Sequence, residues 1–142
     1  MPRFPLSPEL EAWAMGFPLT LTHALATMAI LAAGAALYSL ITPHRELALI
    51  RQGNSAAAVS FAGVLVGLAI PLAASLTAAT SLLDVALWGV ATVFVQLALF
   101  RLTDLVLRGL TRRIAEGEMA AAALLVGAKL ASAVVLAAAV AA

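Results

Sequence analysis

Lys129 is the only charged residue in an apolar stretch of more than twenty residues near the C-terminal end of the sequence. Such a stretch is long enough to cross a bilayer, so Lys129 is expected close to the middle of the membrane. An ionisable group there costs about 2.5 to 3.5 kcal/mol on insertion scales. Two interpretations follow: a site for an anion or a proton step, or a lysine that snorkels or pairs structurally.

Two residues of the preceding apolar stretch are candidate partners for Lys129. Counted outward from the middle of the intervening loop, Gln96 is within about one helical turn of Lys129 in depth, and Asp104 is somewhat over one turn away. Gln96 is therefore the expected neighbour and Asp104 the expected counter-charge. Arg101 and Arg108 stand at i−3 and i+4 from Asp104, so an ion cluster on their own helix is the structural alternative.

Polar residues recur every four positions along the same stretch, at Asp84, Trp88, Thr92 and Gln96. This spacing places them on one helix face. The functional interpretation is a polar path that runs from the outer surface toward the membrane middle. The structural interpretation is an interfacial acid, a belt tryptophan and two groups that hydrogen-bond neighbouring helices.

The composition is that of a polytopic membrane protein. Of the 142 residues, 64% are hydrophobic and 11% are charged, and the mean hydropathy is +1.09, far from the averages of soluble domains. The net charge of +1 gives no basic field, so no nucleic-acid partner is expected. The lipid bilayer is the expected environment.

Catalytic and metal-binding motifs are missing from the sequence. It has no cysteine, no phosphate-binding glycine loop, no nucleophile elbow and no HExxH motif. His23 and His44 lie near opposite ends of the first span, about 30 Å apart along a helix, so one chain cannot bring both to one metal or haem. We therefore expect no enzyme activity, no cofactor and no metal.

The hydrophobic pattern predicts an all-α fold with four transmembrane helices in a single membrane domain, residues 1–142. The spans are expected at about 17–41, 54–80, 85–107 and 119–140. Ser7, Pro8 and Glu9 form a helix start before Trp13, which predicts a short interfacial helix within residues 1–16. The remaining chain divides into two tandem helical hairpins, at about 17–80 and 81–142.

Small residues predict how the spans pack. Gly63 and Gly67 form a GxxxG pair in the second span, and Gly34 lies among alanines in the first, so other helices can approach closely. In the fourth span, Gly127 belongs to a ridge with three alanines, predicted to pack against the second span opposite Lys129: Ala120, Ala123 and Ala131.

Glycine, proline and asparagine mark the turns and a bend. Pro71 cannot donate a hydrogen bond to the carbonyl of Gly67, so a kink between these two residues is predicted. Asn54 follows Gly53 at the start of the second span; a capping role is the structural interpretation and substrate contact the functional one. Gly117 stands at the corresponding turn before the fourth span.

A shift of 64 residues superposes Ile50-x-x-Gly53 on Ile114-x-x-Gly117 and Gly63 on Gly127. This internal repeat supports two hairpins of the same orientation, related by an axis along the membrane normal. Lysine and arginine are concentrated in the loops after the first and third spans, so both termini are expected outside.

Several of these elements together resemble the YjfL-like family of small bacterial inner-membrane proteins, catalogued as a domain of unknown function (number 350). They are Ile41-Thr42-Pro43, Gly53-Asn54, the Gly63/Gly67 pair, Asp84-x-x-x-Trp88-Gly89 with Gln96, and Ile114-x-x-Gly117. The resemblance implies four spans in two repeats in the inner membrane. The second repeat departs from the first by carrying Glu118 in the place of Asn54.

Two classes of function remain open. The preferred one is a non-enzymatic structural or partner-binding membrane subunit, expected to form a homo-oligomer, with arginine-rich loops that recruit a cytosolic or membrane protein. The alternative is a small channel or transporter for an ion or polar solute near Lys129 and Gln96. The first is preferred because most helix faces are Ala, Leu and Val, whereas a conduit needs a continuous polar lining.

Overall fold

The computed structural model describes residues 7–42 and 45–142. Residues 1–6 of the expected interfacial segment lie outside this part of the chain, as do Pro43 and His44. Six helices cover most of the described residues: α1 (Pro8–Ile41), α2 (Glu46–Arg51), α3 (Ser55–Ala78), α4 (Leu82–Val106), α5 (Leu110–Ala115) and α6 (Met119–Val140).

Four of these helices, α1, α3, α4 and α6, are long and apolar enough to cross a membrane. The chain is thus an all-α membrane protein with four candidate spans. The first of them differs from expectation, because α1 is unbroken for 34 residues and contains Pro18. At about 1.5 Å per residue it is roughly 51 Å long, well beyond the hydrocarbon thickness. Residues 8–16 are therefore its first turns and not a separate interfacial helix.

Helix α3 is the centre of the bundle and packs most extensively against α6, with further contacts to α1 and α4. Its glycines allow these contacts. A Cβ atom at Gly63 would lie 2.6 Å from Cγ2 of Val126 on α6, and one at Gly67 would lie 2.7 Å from Cζ of Phe100 on α4. Gly34 of α1 is packed in the same way against Val93, at 2.9 Å. Three of the four predicted packing glycines therefore lie at helix contacts.

The predicted role of Gly127 is wrong. Nothing lies within 4 Å of a Cβ atom placed there, and the whole predicted ridge of Ala120, Ala123, Gly127 and Ala131 is exposed. Helix α6 instead buries the opposite side, which carries Lys129. Exposing alanine and glycine to lipid costs little, whereas exposing an ammonium group at this depth is expensive, so the lysine decides which face turns inward.

One end of the bundle carries the two short helices α2 and α5, with the starts of α3 and α6 and most of the arginines; we call it the basic end. The side chain of Asn54 caps α3 by accepting a hydrogen bond from the amide of Ala57 at 2.9 Å. Its Nδ2 atom also donates to the carbonyls of Ile114 and Ala115, both at 3.0 Å. Asn54 therefore joins the start of α3 to the end of α5, beyond the capping role that was predicted.

The elements of the basic end recur at a constant spacing. Helices α2 and α5 are six residues long and begin 64 residues apart. The starts of α3 and α6 are also 64 residues apart. Gly53 and Gly117 precede the long helices with φ of +88° and +89°, a conformation that strains any L side chain. The equivalent caps differ, because Glu118 accepts hydrogen bonds from Arg113 where Asn54 bridges two helices.

Pro71 lies buried inside α3, which is helical on both sides of it. The bend between Gly67 and Pro71 stays a prediction.

Gly63 and Gly127 occupy equivalent repeat positions in opposite environments, which gives a matched pair of variants. We expect Gly63→Ala to lower the free energy of unfolding by about 1 to 3 kcal/mol, as overpacked cores do, because Val126 is β-branched and rotates poorly in a helix. Gly127→Ala should leave stability unchanged or raise it slightly. Thermal unfolding in detergent measures both, and equal effects of the two substitutions would contradict the packing.

Candidate functional site

The polar centre of the bundle is built around Lys129, whose residue exposure is 0%. Its Nζ atom lies 3.0 Å from Oδ1 of Asp104 and donates a hydrogen bond to the hydroxyl of Tyr38 at 2.9 Å. It also lies 4.8 Å from the ring centre of Tyr38 and 5.4 Å from that of Phe100, within cation–π range. Residues from α1, α4 and α6 thus share one ammonium group.

The direction of α6 explains how Lys129 reaches Asp104 although their backbones differ in depth. Lys129 is ten residues from the start of α6 and Asp104 two residues from the end of α4. Helical side chains tilt toward the N-terminus of their helix, which for α6 is the basic end. The lysine stem therefore carries its charge toward that end inside the protein, which is snorkelling into the bundle instead of into lipid.

Asp104 turns inward and away from the arginines of its own helix. Its side chain is only 9% exposed, and among the described residues it forms no ion pair with Arg101 or Arg108. The ion cluster on α4 that was the structural alternative is therefore not formed. The Oδ2 atom of Asp104 has no hydrogen-bond partner within the described part of the chain.

Glu46 is a buried carboxyl group of this site that the sequence reasoning did not single out. It is 8% exposed, and its Oε1 atom accepts a hydrogen bond from Ser60 at 2.9 Å. Glu46 belongs to α2, between the spans, and burial raises its pKa above the ordinary value, against the opposing effects of the Ser60 hydrogen bond and the charge of Lys129. A second buried carboxyl group thus lies within electrostatic range of Lys129.

Tyr38 and Ser60 were also missed, although Tyr38 is the only tyrosine in the chain. Tyr38 is 1% exposed and Ser60 is fully buried. The single occurrence of tyrosine is the one signal in the sequence that could have indicated a role for Tyr38, whereas Ser60 is one of several hydroxyl residues in its span. Tyr38 connects α1 to the ammonium group of α6. Ser60 connects α3 to the carboxyl group of α2.

Gln96 lies beside α6 but does not meet the charge of Lys129. Its Nε2 atom donates to the hydroxyl of Ser132 at 3.2 Å, and that hydroxyl donates to the backbone carbonyl of Lys129 at 2.7 Å. Deeper in the bundle, Thr92 and Ser75 share a hydrogen bond of 2.9 Å. Gln96 and Thr92 therefore join α4 to α6 and to α3, respectively.

Asp84 and Trp88 lie at the opposite end of the bundle from the arginines. The carboxylate of Asp84 accepts hydrogen bonds from the amide and hydroxyl of Thr80, at 3.2 and 2.6 Å, and its amide donates to Ser81 at 3.1 Å. Trp88 is 62% exposed. The first two positions of the polar face are thus a carboxylate in the first turn of α4 and a surface aromatic, and only the last two are buried.

Two clefts reach the carboxyl groups of the site from the basic end. One, of about 440 Å³, is lined by Thr42, Arg101, Leu102, Asp104, Leu105, Arg108 and Thr111. The other, of about 480 Å³, includes Glu46 with Arg45, Arg51 and Gln52. A smaller cleft of about 280 Å³ at the opposite end includes Ser75, Asp84 and Trp88. The described residues contain no group of three or more His, Asp or Glu placed to hold a metal ion.

Removing one member of the central ion pair should be costly. We expect Lys129→Met to destabilise the protein by about 3 to 5 kcal/mol, because it leaves the Asp104 carboxylate buried without its cation. The double variant Lys129→Met/Asp104→Asn should lose less than the single one, since no unpaired charge remains. Thermal unfolding in detergent tests this, with Arg112→Gln at an exposed ion pair as the control. An unaltered melting temperature in Lys129→Met would mean that the pair is dispensable.

Glu46 should make stability depend on pH. Its pKa is higher in the folded than in the unfolded protein, so between these two values the folded protein holds a proton that the unfolded chain has released. The free energy of unfolding therefore falls as pH rises through that window. We expect Glu46→Gln to flatten this fall in melting experiments from about pH 4 to about pH 8, and the exposed Glu116→Gln to leave it unchanged. Identical pH profiles of wild type and Glu46→Gln would refute the assignment.

Comparison with known proteins agrees with this architecture. The profile of the family described as Domain of Unknown Function (DUF350) matches residues 12–140. Two curated relatives, each called UPF0719 inner membrane protein YjfL, come from Escherichia coli strain K12 and Escherichia coli O157:H7. Each is 38% identical over 85 residues, which cover 60% of this chain and 64% of the relative.

No solved structure matches the chain significantly. The family profile covers most of the sequence and all four candidate spans except the first turn of α1. The residues that carried the resemblance in the sequence, from Gly53-Asn54 to Gly117, fall within the matched range. The chain therefore belongs to the YjfL-like DUF350 family of membrane proteins.

Proposed function

We propose that the protein is a non-enzymatic subunit of the bacterial inner membrane with a structural or partner-binding role. The observation that supports this best is the enclosure of Lys129, whose exposure is 0%. Its ammonium group donates to Tyr38, pairs with Asp104 at 3.0 Å and faces two aromatic rings. A cation buried and paired within its own bundle stabilises one helix arrangement and is not open to a solute.

The proposed contact surface for a partner is the basic end. Four arginines are exposed there: Arg45, Arg51, Arg108 and Arg112. Among the described residues, only Arg112 of these four forms an ion pair, with Glu116 at 3.7 Å. The positive-inside rule puts this end in the cytoplasm and both termini outside. A cytosolic or membrane protein with an acidic surface complements it.

We further propose that the chain is built from two tandem hairpins and forms a homo-oligomer. The constant spacing of 64 residues between equivalent helix starts supports the duplication. The exposed ridge around Gly127 supports oligomerisation, because small residues let a second helix approach closely without a hydrophobic driving force.

The alternative function, a conduit for protons or another small ion, rests on a different observation. Polar groups follow one another through the bundle, from Ser75 and Thr92 to Gln96 and Ser132 and then to Lys129. Proton relays in membranes use such buried series. The clefts at the two ends are separated by this packed interior, which favours the structural role over the conduit.

Two measurements on one preparation separate these functions. We expect purified protein in liposomes to give no proton or potassium flux above that of protein-free liposomes. In cells, a photo-crosslinking residue in place of Gln52 should capture a cytosolic or membrane protein, and capture should fall when Arg51→Glu is added. The same residue in place of Leu83, at the opposite end, is the control.

Flux that is lost in Lys129→Met would reverse the preference in favour of the conduit. Capture that is independent of Arg51, or equal at Gln52 and Leu83, would contradict the basic end as the partner surface. Adducts with periplasmic proteins at Gln52 would overturn the orientation.

A further inference from the structure

The cleft at the end of α4 combines Asp104 of the central ion pair with two arginines, of which Arg108 also belongs to the basic end. Arg101, Asp104 and Arg108 follow one another at i, i+3 and i+7, so they share one helix face, and all three line the cleft. Both arginines are exposed, and neither forms an ion pair within the described part of the chain. The cleft is therefore lined by two arginines that form no ion pair among the described residues and by the inward-turned carboxylate of Asp104, which pairs with Lys129.

Arg101 is the less usual of the two arginines because of its depth. It lies five residues before the end of α4, on the outer surface of a membrane-spanning helix, beside Leu102 and Leu105, which are 55% and 54% exposed. A guanidinium group at such a position is costly unless it reaches the interface and meets an anion. The phosphate of a lipid headgroup is the anion available at that level, and guanidinium binds phosphate with two parallel hydrogen bonds.

The cleft also contains a carboxylate, which a simple anion would not satisfy. The Oδ2 atom of Asp104, on a side chain more than nine-tenths buried, has no hydrogen-bond partner, and the same holds for the hydroxyl oxygen of Thr42 among the described residues. A buried acceptor without a donor is unfavourable. An ammonium group placed over the floor of the cleft would supply the missing donors and add a charge opposite to that of Asp104.

We propose that this cleft binds the headgroup of phosphatidylethanolamine. Arg101 and Arg108 bind the phosphate, the ammonium group donates to Asp104 and Thr42, and the acyl chains lie along Leu102 and Leu105. This headgroup carries a phosphate for the two arginines and, two carbons from the phosphate ester oxygen, an ammonium group with N–H donors for the carboxylate. Phosphatidylcholine has no N–H donors, and phosphatidylglycerol has no cation for Asp104.

Lipid retention by the intact protein tests the proposal. Protein purified in detergent is mixed with equal amounts of phosphatidylethanolamine, phosphatidylcholine and phosphatidylglycerol of the same acyl chains, and bound lipid is counted by native mass spectrometry. We expect phosphatidylethanolamine to be retained preferentially. Arg101→Gln and Arg108→Gln should each weaken its retention about tenfold, the equivalent of one charge-assisted hydrogen bond. Arg112→Gln, outside the cleft, is the matched control.

A second measurement uses only the unaltered protein. Its melting temperature should be higher in phosphatidylethanolamine nanodiscs than in phosphatidylcholine nanodiscs, because a ligand that binds the folded state stabilises it. Equal retention of phosphatidylglycerol and phosphatidylethanolamine would overturn the proposal, since it would show a site for phosphate alone. Equal protection by water-soluble glycerophosphoethanolamine would overturn the assignment to a lipid, and unchanged retention in both arginine variants would overturn the site.

Discussion

An ammonium group in the interior of a membrane bundle needs a negative charge at hydrogen-bond distance, and the pairing of Lys129 with Asp104 meets that need. The rotation of α6 follows from it. Once Lys129 faces the interior, the residues on the same side of the helix face it too, and Val126 packs into the space left by Gly63 on α3. The ridge of small residues on the far side of α6 is then left at the surface. The cost of exposing the charge of Lys129 to lipid thus outweighs the packing preference of the four small residues in that ridge.

The same pair organises the basic end. Tyr38 brings the end of α1 to the lysine, and Glu46 and Ser60 bind α2 to α3 beside it. Two buried carboxyl groups therefore act on one lysine, and burial raises the pKa of Glu46 because desolvation disfavours its charged form. The arginines of this end remain exposed. Buried charges are balanced within the bundle, while the surface cations are left for partners outside it.

Apart from Lys129, the spans contain two kinds of buried polar residue: those that only hydrogen-bond a neighbouring helix, and Asp104. The hydrogen bonds of Gln96 with Ser132 and of Thr92 with Ser75 join neighbouring helices, as polar groups in lipid commonly do. Asp104 differs from them, because one oxygen pairs with Lys129 and the other has no partner among the described residues. It lies between the buried ion pair and the cleft of Arg101. A ligand bound in that cleft would therefore act on the pair that holds the bundle together.

Length and hydropathy alone determined that the chain is an all-α membrane protein with four spans, because a bilayer requires about 20 apolar residues per crossing. The sequence also predicted the turns at Gly53 and Gly117, because a side chain would strain the backbone there. It predicted close helix contacts at Gly34, Gly63 and Gly67, because a Cβ atom would keep the neighbouring helix away. Depth counting along the chain indicated that Asp104 could meet Lys129.

Only the tertiary structure decided which face of α6 is buried. A small-residue ridge and a lysine on opposite faces of one helix compete, and the outcome depends on the partners that other helices supply. Glu46 and Tyr38 are far from Lys129 in sequence, and no periodicity relates them to it, so their place in the site depends on how α1, α2 and α6 meet at the basic end. Local patterns specify elements and contact surfaces, whereas charge balance in a low-dielectric interior is a property of the assembled bundle.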